Sequence, residues 1–171
     1  MLLTGCSWVL VEKPAEAETE PDPYESVMRA IDYVNYASEW VGSDEVKDNK
    51  ELTILLGIDP SVTPWCTAFM NSVLSTYHYK VTGNLLARSY LSWGIPVKEP
   101  IFGDIVVFER GNEGWEGHVG IFIREIDDRY EILGGNQNNM VSYELYDKSR
   151  VLGIRRSPLP ILQLTLHSSD E

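Results

Sequence analysis

Gly103-Asp104-Ile105-Val106-Val107-Phe108, then His118-Val119-Gly120-Ile121-Phe122-Ile123, then Tyr130-Glu131-Ile132-Leu133 are three apolar runs of strand length. They are rich in β-branched and aromatic residues, the composition that suits a pleated, half-buried surface. Polar turns separate them at Arg110 to Gly117 and Asp127 to Arg129, and Asn136 to Asn139 follow the third. Val151-Leu152-Gly153-Ile154 reads as a fourth strand. Upstream the periodicity is helical. Val27, Ile31, Val34 and Val41, with Ala30, Ala37 and Trp40 beside them, predict an amphipathic helix over 25–41 that Gly42-Ser43-Asp44 ends. A second helix is expected over 45–56, stopping at Gly57. Thr63 as N-cap and Pro64 at the first helical position open a third, with Cys66 in its first turn. A short helix over 84–93 precedes Gly94. Helices first and consecutive antiparallel strands after them indicate an α+β fold.

The chain has 171 residues and is 43% hydrophobic, enough for one domain with a real core. Its organisation reads as an N-terminal segment (1–23), a folded domain (24–157) and a C-terminal tail (158–171). Residues 12 to 25 hold three prolines and six acids, the composition of a solvated linker. Before it, Leu3-Thr4-Gly5-Cys6 has the form of a lipobox, whose cysteine receives lipid. Only Met1-Leu2-Leu3 stand in front of it here, where a signal carries a charged and an apolar region. A lipid on Cys6 would make the protein a membrane-tethered lipoprotein.

The formal charge of -12 excludes an ordinary nucleic-acid binder. Most of it lies early. Residues 1–60 carry 13 acids and 4 bases, and residues 61–171 carry 13 acids and 10 bases. With only Cys6 and Cys66, neither a disulfide scaffold nor a four-thiolate zinc site is possible. No metal or cofactor is expected, since the chain has no His-Glu-x-x-His motif and no Asp-rich calcium loop.

Cys66 is placed where helix dipoles favour an anion, and a thiolate is the nucleophilic form of cysteine. A thiol nucleophile needs a proton carrier, most often histidine. His78 lies near a helix end and His167 in the tail, whereas His118 opens a strand flanked by glycines. If the strands over 118–123 and 130–135 pair as a hairpin, Asn136 arrives beside His118 and its amide oxygen can hold the imidazole tautomer. Spacing alone leaves the plain readings open: a buried small cysteine, a core histidine and a turn at Gly134-Gly135-Asn136-Gln137.

Six blocks in order carry a family resemblance. They are Pro64-Trp65-Cys66-Thr67-Ala68-Phe69-Met70-Asn71, Leu86-Ala87-Arg88-Ser89-Tyr90-Leu91, residues 103–108, Gly117-His118-Val119-Gly120, Leu133-Gly134-Gly135-Asn136-Gln137 and Leu152-Gly153-Ile154-Arg155-Arg156. Over about residues 28–156 they resemble the NlpC-type cysteine peptidase superfamily, in a phage and bacterial branch close to the CHAP amidases. The resemblance implies a papain-like fold, with the nucleophile helix packed on an antiparallel sheet, and cleavage of amide bonds in peptidoglycan. It implies Cys66 as nucleophile, His118 as general base and Asn136 as third member, with Gln137 its rival because related groups vary there. Trp65, Ser89 and Gln137 are candidate substrate contacts. Arg88, Trp93 and Trp115 are weaker ones, and Asp104 reads as turn chemistry rather than catalysis. The implied enzyme is an N-acetylmuramoyl-L-alanine amidase or a peptide endopeptidase. It would act as a monomer in the cell envelope or periplasm, or be delivered by phage. The other readings are a non-catalytic wall-binding or phage structural module that retains the fold, and a thiol enzyme acting on another amide or ester.

Overall fold

A computed structural model describes residues 22–158. The lipobox-like start with Cys6, most of the acidic linker, the C-terminal tail and His167 lie outside the described residues. Helix α1 spans Pro23–Glu39, two residues earlier than the apolar spacing predicts. Asp22 and Pro23 explain the shift. The Asp22 carboxylate accepts the Glu25 N–H at 3.1 Å, and proline fits the first helical turn, where its missing N–H costs nothing. Helix α2 spans Asn49–Leu56 and ends, as expected, at Gly57 in the left-handed region. Helix α3 spans Cys66–Thr76. Here the Thr63–Pro64 cap is corrected: Trp65 is the N-cap, with no side-chain cap bond, and Cys66 is the first helical residue. The segment at Ala87–Ser92 is a 3-10 helix.

The strands are β1 (Ile95–Val97), β2 (Ile105–Glu109), β3 (Gly117–Ile126), β4 (Arg129–Gln137), β5 (Met140–Asp147) and β6 (Val151–Arg156). They form one antiparallel sheet of order β1-β6-β2-β3-β4-β5. Two of the six, β1 and β5, go beyond the four strands read from sequence. The fold is α+β, as expected, with the helices on one face of the sheet.

Alternation along the strands sorts the core into two layers. Ile105, Val107, Val119, Ile121, Leu133 and Val141 join Phe69, Met70 and Val73 of α3 in the main core. Val106, Phe108, Phe122, Tyr130 and Ile132 form a smaller cluster on the opposite face. His118, one residue before Val119, follows the alternation to that opposite face. The segment after α1 is tied to the sheet as well: Gly42 N–H bonds Val141 O at 2.9 Å and Val141 N–H bonds Ser43 O at 3.0 Å. Among the described residues, no helix is long and apolar enough to cross a membrane.

A buried ion pair closes one end of the sheet. Arg156 at the end of β6 reaches Asp104, just before β2, with Nε to Oδ1 at 3.1 Å and Nη2 to Oδ2 at 3.0 Å. Both side chains are almost fully buried. Asp104 Oδ2 also accepts the Ile101 N–H, at 2.9 Å. The pair is bidentate, the geometry that best repays desolvation. Asp104 is thus structural, as its sequence context suggests, although it works through a long-range pair and not through the turn alone. Asp104→Ala should destabilise the protein by about 3–5 kcal/mol, because it takes the carboxylate away from a buried guanidinium. Replacing both residues by apolar ones of similar volume should cost less than that single change. Urea denaturation of the two variants measures the difference.

Candidate active site

Cys66 opens α3, which packs over β3 and β4. The first helical hydrogen bond of α3 runs from Phe69 N–H to Trp65 O. The N–H groups of Cys66, Thr67 and Ala68 therefore stand outside the helical ladder and point out of its N-terminus. The helix approaches β4 closely at Gly135. A Cβ there would lie 2.5 Å from Trp65 Cζ3 and 2.7 Å from Phe69 Cβ, so only glycine admits α3 at this height. Cys66 is free and nearly buried, and it shares a cavity of about 390 Å³ with Arg110, Trp115, Gly117 and Asn136.

His118 follows Gly117 on β3 and is buried. Its ring lies flat on Tyr146 of β5, with centroids 5.1 Å apart and planes at 11°. Tyr146 in turn stacks on Phe108 at 4.7 Å. The imidazole Nε2 lies 3.0 Å from Oε1 of Gln137. The Gln137 amide nitrogen donates to Ser142 O at 2.6 Å and Ile132 O at 3.3 Å. Those two carbonyls fix the amide: turned over, it would set oxygen against oxygen twice. Oε1 must therefore face His118, and an amide oxygen only accepts. The neutral imidazole consequently carries its proton on Nε2 and its lone pair on Nδ1. Nδ1 is buried and has no hydrogen-bond partner among the described residues.

The structure brings Gln137, and not Asn136, to the imidazole. Asn136 lines the Cys66 cavity, but it makes no hydrogen bond to His118. Its backbone carbonyl faces Arg110 Nη1 at 3.5 Å. The cause is a β-bulge. Gly134 pairs with Ser142 and Gln137 with Met140, so Gly135 and Asn136 together oppose Val141. The Ile121–Leu133 register, continued without a bulge, would bring position 136 opposite His118. The extra residue moves that place to Gln137. Asn136 takes the strain of the bulge at φ 57°, in a region asparagine tolerates better than most residues.

The candidate substrate contacts also redistribute. Trp65 is fully buried, its Nε1 donates to Glu45 at 2.9 Å and its ring meets Phe69 edge-on, so it cannot stack on a ligand. Ser89 bonds Thr82 at 3.0 Å in a separate pocket with Lys80 and Trp93. Gln137 serves the imidazole instead of the cavity. Arg88 donates from Nε to Glu116 O at 2.7 Å. Trp93 is buried, whereas Trp115 is 60% exposed and lines the Cys66 cavity. Tyr146 and Arg110 were not singled out from sequence. The signal for Tyr146 is the alternation of Val141, Tyr143 and Leu145 with Ser142, Glu144 and Tyr146, a strand pattern two residues after a double-Asn turn.

Burial pushes the His118 pKa down to about 4 against the hydrogen bond that the ring donates to Gln137, with the Arg110 and Arg150 charges adding to the depression. In the unfolded chain the imidazole titrates near 6.5. Between those values the unfolded state binds the extra proton and the folded state does not, so stability falls as pH drops through that window. Urea midpoints measured from pH 7.5 to 4.5 should fall more steeply for wild type than for His118→Gln, by about 1–3 kcal/mol over the range.

No family model matches the sequence, and no curated protein matches it either. Solved structures do. The wild-type endolysin LysIME-EF1 matches with a TM-score of 0.54 and 15% identity, over 77% of this chain and 64% of the endolysin. A Staphylococcus aureus subsp. aureus Mu50 protein described as similar to a lipoprotein of the NLP/P60 family matches with a TM-score of 0.48 and 18% identity, over 85% of this chain and 45% of its own. The chain thus spans less than two thirds of either relative's length. At such identity the likeness to the endolysin speaks for architecture alone: an α+β fold with helices packed on one antiparallel sheet.

Proposed function

We propose that the chain is a thiol-dependent hydrolase that cleaves an amide bond in peptidoglycan. The observation that carries this reading is the His118 imidazole. Its Nε2–H is tied to Gln137, its Nδ1 is buried without a partner among the described residues, and its chain neighbour Gly117 lines the same cavity as Cys66. Such an imidazole is oriented, neutral and ready to accept a proton. The endolysin-like fold supports the cell wall as the substrate.

In this mechanism Nδ1 takes the proton of Cys66 Sγ as the sulfur attacks the amide carbonyl. The carbonyl electrons move onto oxygen, where the Cys66 and Thr67 N–H groups at the head of α3 stabilise the charge. The tetrahedral adduct collapses, the C–N bond breaks and His118 returns the proton to the leaving nitrogen. A water then attacks the thioester, giving its proton to Nδ1, and the carboxylic acid leaves Cys66 as a thiol. Gln137 keeps the ring in register throughout without carrying charge. Amidase and endopeptidase actions differ in which amide reaches Sγ. A lipid on Cys6, or delivery by phage, would bring the enzyme to the wall.

Purified sacculi incubated with wild type should release soluble fragments, and Cys66→Ala should release none. Mass spectrometry of the products separates lactyl-bond cleavage from new peptide ends. Gln137→Ala should lower kcat by about 10²-fold, well beyond the effect of Asn136→Ala. A larger loss for Asn136→Ala would reverse the assignment of the third residue. No cleavage by reduced wild type on several sacculus types would end the hydrolase reading.

A further inference from the structure

In a chain of net charge -12, two arginines next to the site have no carboxylate partner among the described residues. Arg110 follows β2 and Arg150 precedes β6. Among the described residues, the ion pairs involve Arg29, Arg124, Lys148 and Arg156, and neither of these two. Arg110 is exposed, and its only hydrogen bond among the described residues is the 3.5 Å contact with Asn136 O. Arg150 donates from Nη2 to Glu109 O at 2.9 Å and lies over the Tyr146 ring at 5.5 Å. Both line a polar hollow of about 250 Å³ with Asn138 and Glu144. Arg110 and Asn136 also line the Cys66 cavity, so the two hollows adjoin.

The acids nearby are engaged elsewhere. Glu144 accepts from Asn138 Nδ2 at 3.0 Å and from Ser142 Oγ at 3.4 Å. Glu116, on the Cys66 cavity, accepts the Asn112 and Glu113 N–H groups at 2.9 and 3.1 Å. The two guanidiniums therefore keep most of their donors for something outside the chain. A guanidinium fork fits a carboxylate, in two parallel bonds where geometry allows.

We propose that Arg110, with Arg150 behind it, is a carboxylate subsite that selects substrates bearing a free acidic group beside the bond presented to Cys66. The proposal rests on the thiol-hydrolase reading and deepens it: the substrate is an acidic peptide, and Arg110 is a specificity-determining residue. An occupied subsite also neutralises positive charge near His118. The imidazole then becomes a stronger base when the right substrate is present.

A matched pair of small probes tests this. Iodoacetate and iodoacetamide both alkylate a thiol with loss of iodide, and they differ in a carboxylate against a carboxamide. The ratio of their rates at Cys66 of the reduced full chain, read by mass spectrometry, is compared with the ratio at free cysteine. Wild type should favour iodoacetate over that reference, and 0.5 M salt should shrink the preference. Arg110→Gln should lower the ratio about tenfold, whereas Arg129→Gln, an exposed arginine far along β4, should leave it unchanged. A ratio that Arg110→Gln leaves within twofold of wild type overturns the subsite while the nucleophile reading stands. If neither reagent modifies Cys66 in the folded protein, the nucleophile reading itself falls, and the subsite with it.

Discussion

The site hangs on a single irregularity in one strand. Gly135 and Asn136 stand together against Val141, where a regular ladder would place one residue. Two consequences follow from that one insertion. Gly135 offers bare backbone on the helical face, and Trp65 and Phe69 settle onto it, which sets the height and tilt of α3 and hence the position of Cys66. Beyond the insertion the alternation is reversed, so Gln137 emerges on the face that holds His118. Gly134 completes the fit, since a Cβ there would stand 3.0 Å from Gln137 Oε1 and 3.4 Å from His118 Nε2. The body of α3 thus packs on one face and Gln137 emerges on the other, while Cys66, at the head of α3, lines one cavity with Gly117 and Asn136, and the bulge sets both.

The same irregularity marks where sequence reading stops. Helix and strand periodicities are local and survive into the fold: α1, α2, β2, β3, β4 and β6 all lie close to their predicted spans. Cys66 and His118 stand out in the sequence because their chemistry is scarce: the chain has two cysteines and three histidines. The choice between Asn136 and Gln137 was not legible, because it turns on a one-residue slip that no periodicity encodes. Trp65 and Ser89 failed for another reason. Adjacency in sequence to a candidate nucleophile, or polarity within a motif, says nothing of direction. Trp65 turns inward to Glu45 and Ser89 turns to Thr82. Strand β5 carried a period-two pattern and a turn signal, Asn138-Asn139, with both residues at positive φ as a tight hairpin requires.

The partner of His118 is an amide, and that choice has chemical weight. A carboxylate at the same distance would favour the charged imidazolium. Gln137 fixes the tautomer and adds no net charge, so burial governs and the ring stays neutral. Tyr146 covers one face of that ring and keeps water from it. The resting imidazole then keeps a buried, unprotonated Nδ1. Positive charge gathers on it only while a proton is in transit, when the ring can also draw on the π face of Tyr146.

Strand β2 shows how burial gives one residue type two roles. Asp104 stands at its start and Arg110 just past its end, about 20 Å away for an extended chain of that length. At the first end, Arg156 meets Asp104 in a sealed, bidentate pair that joins β2 to β6. There the guanidinium is spent on the fold, and its removal would be felt as lost stability. At the second end, Arg110 is exposed and unpaired by any acid among the described residues, beside the cavity that Cys66 shares. An exposed arginine adds little to stability, so the fold does not account for its place. Its charge is instead open to a ligand, and because β2 pairs with β3 through Phe108 and His118, that charge is held at a set distance from the imidazole. The sheet thereby separates its own cohesion from its chemistry along a single strand.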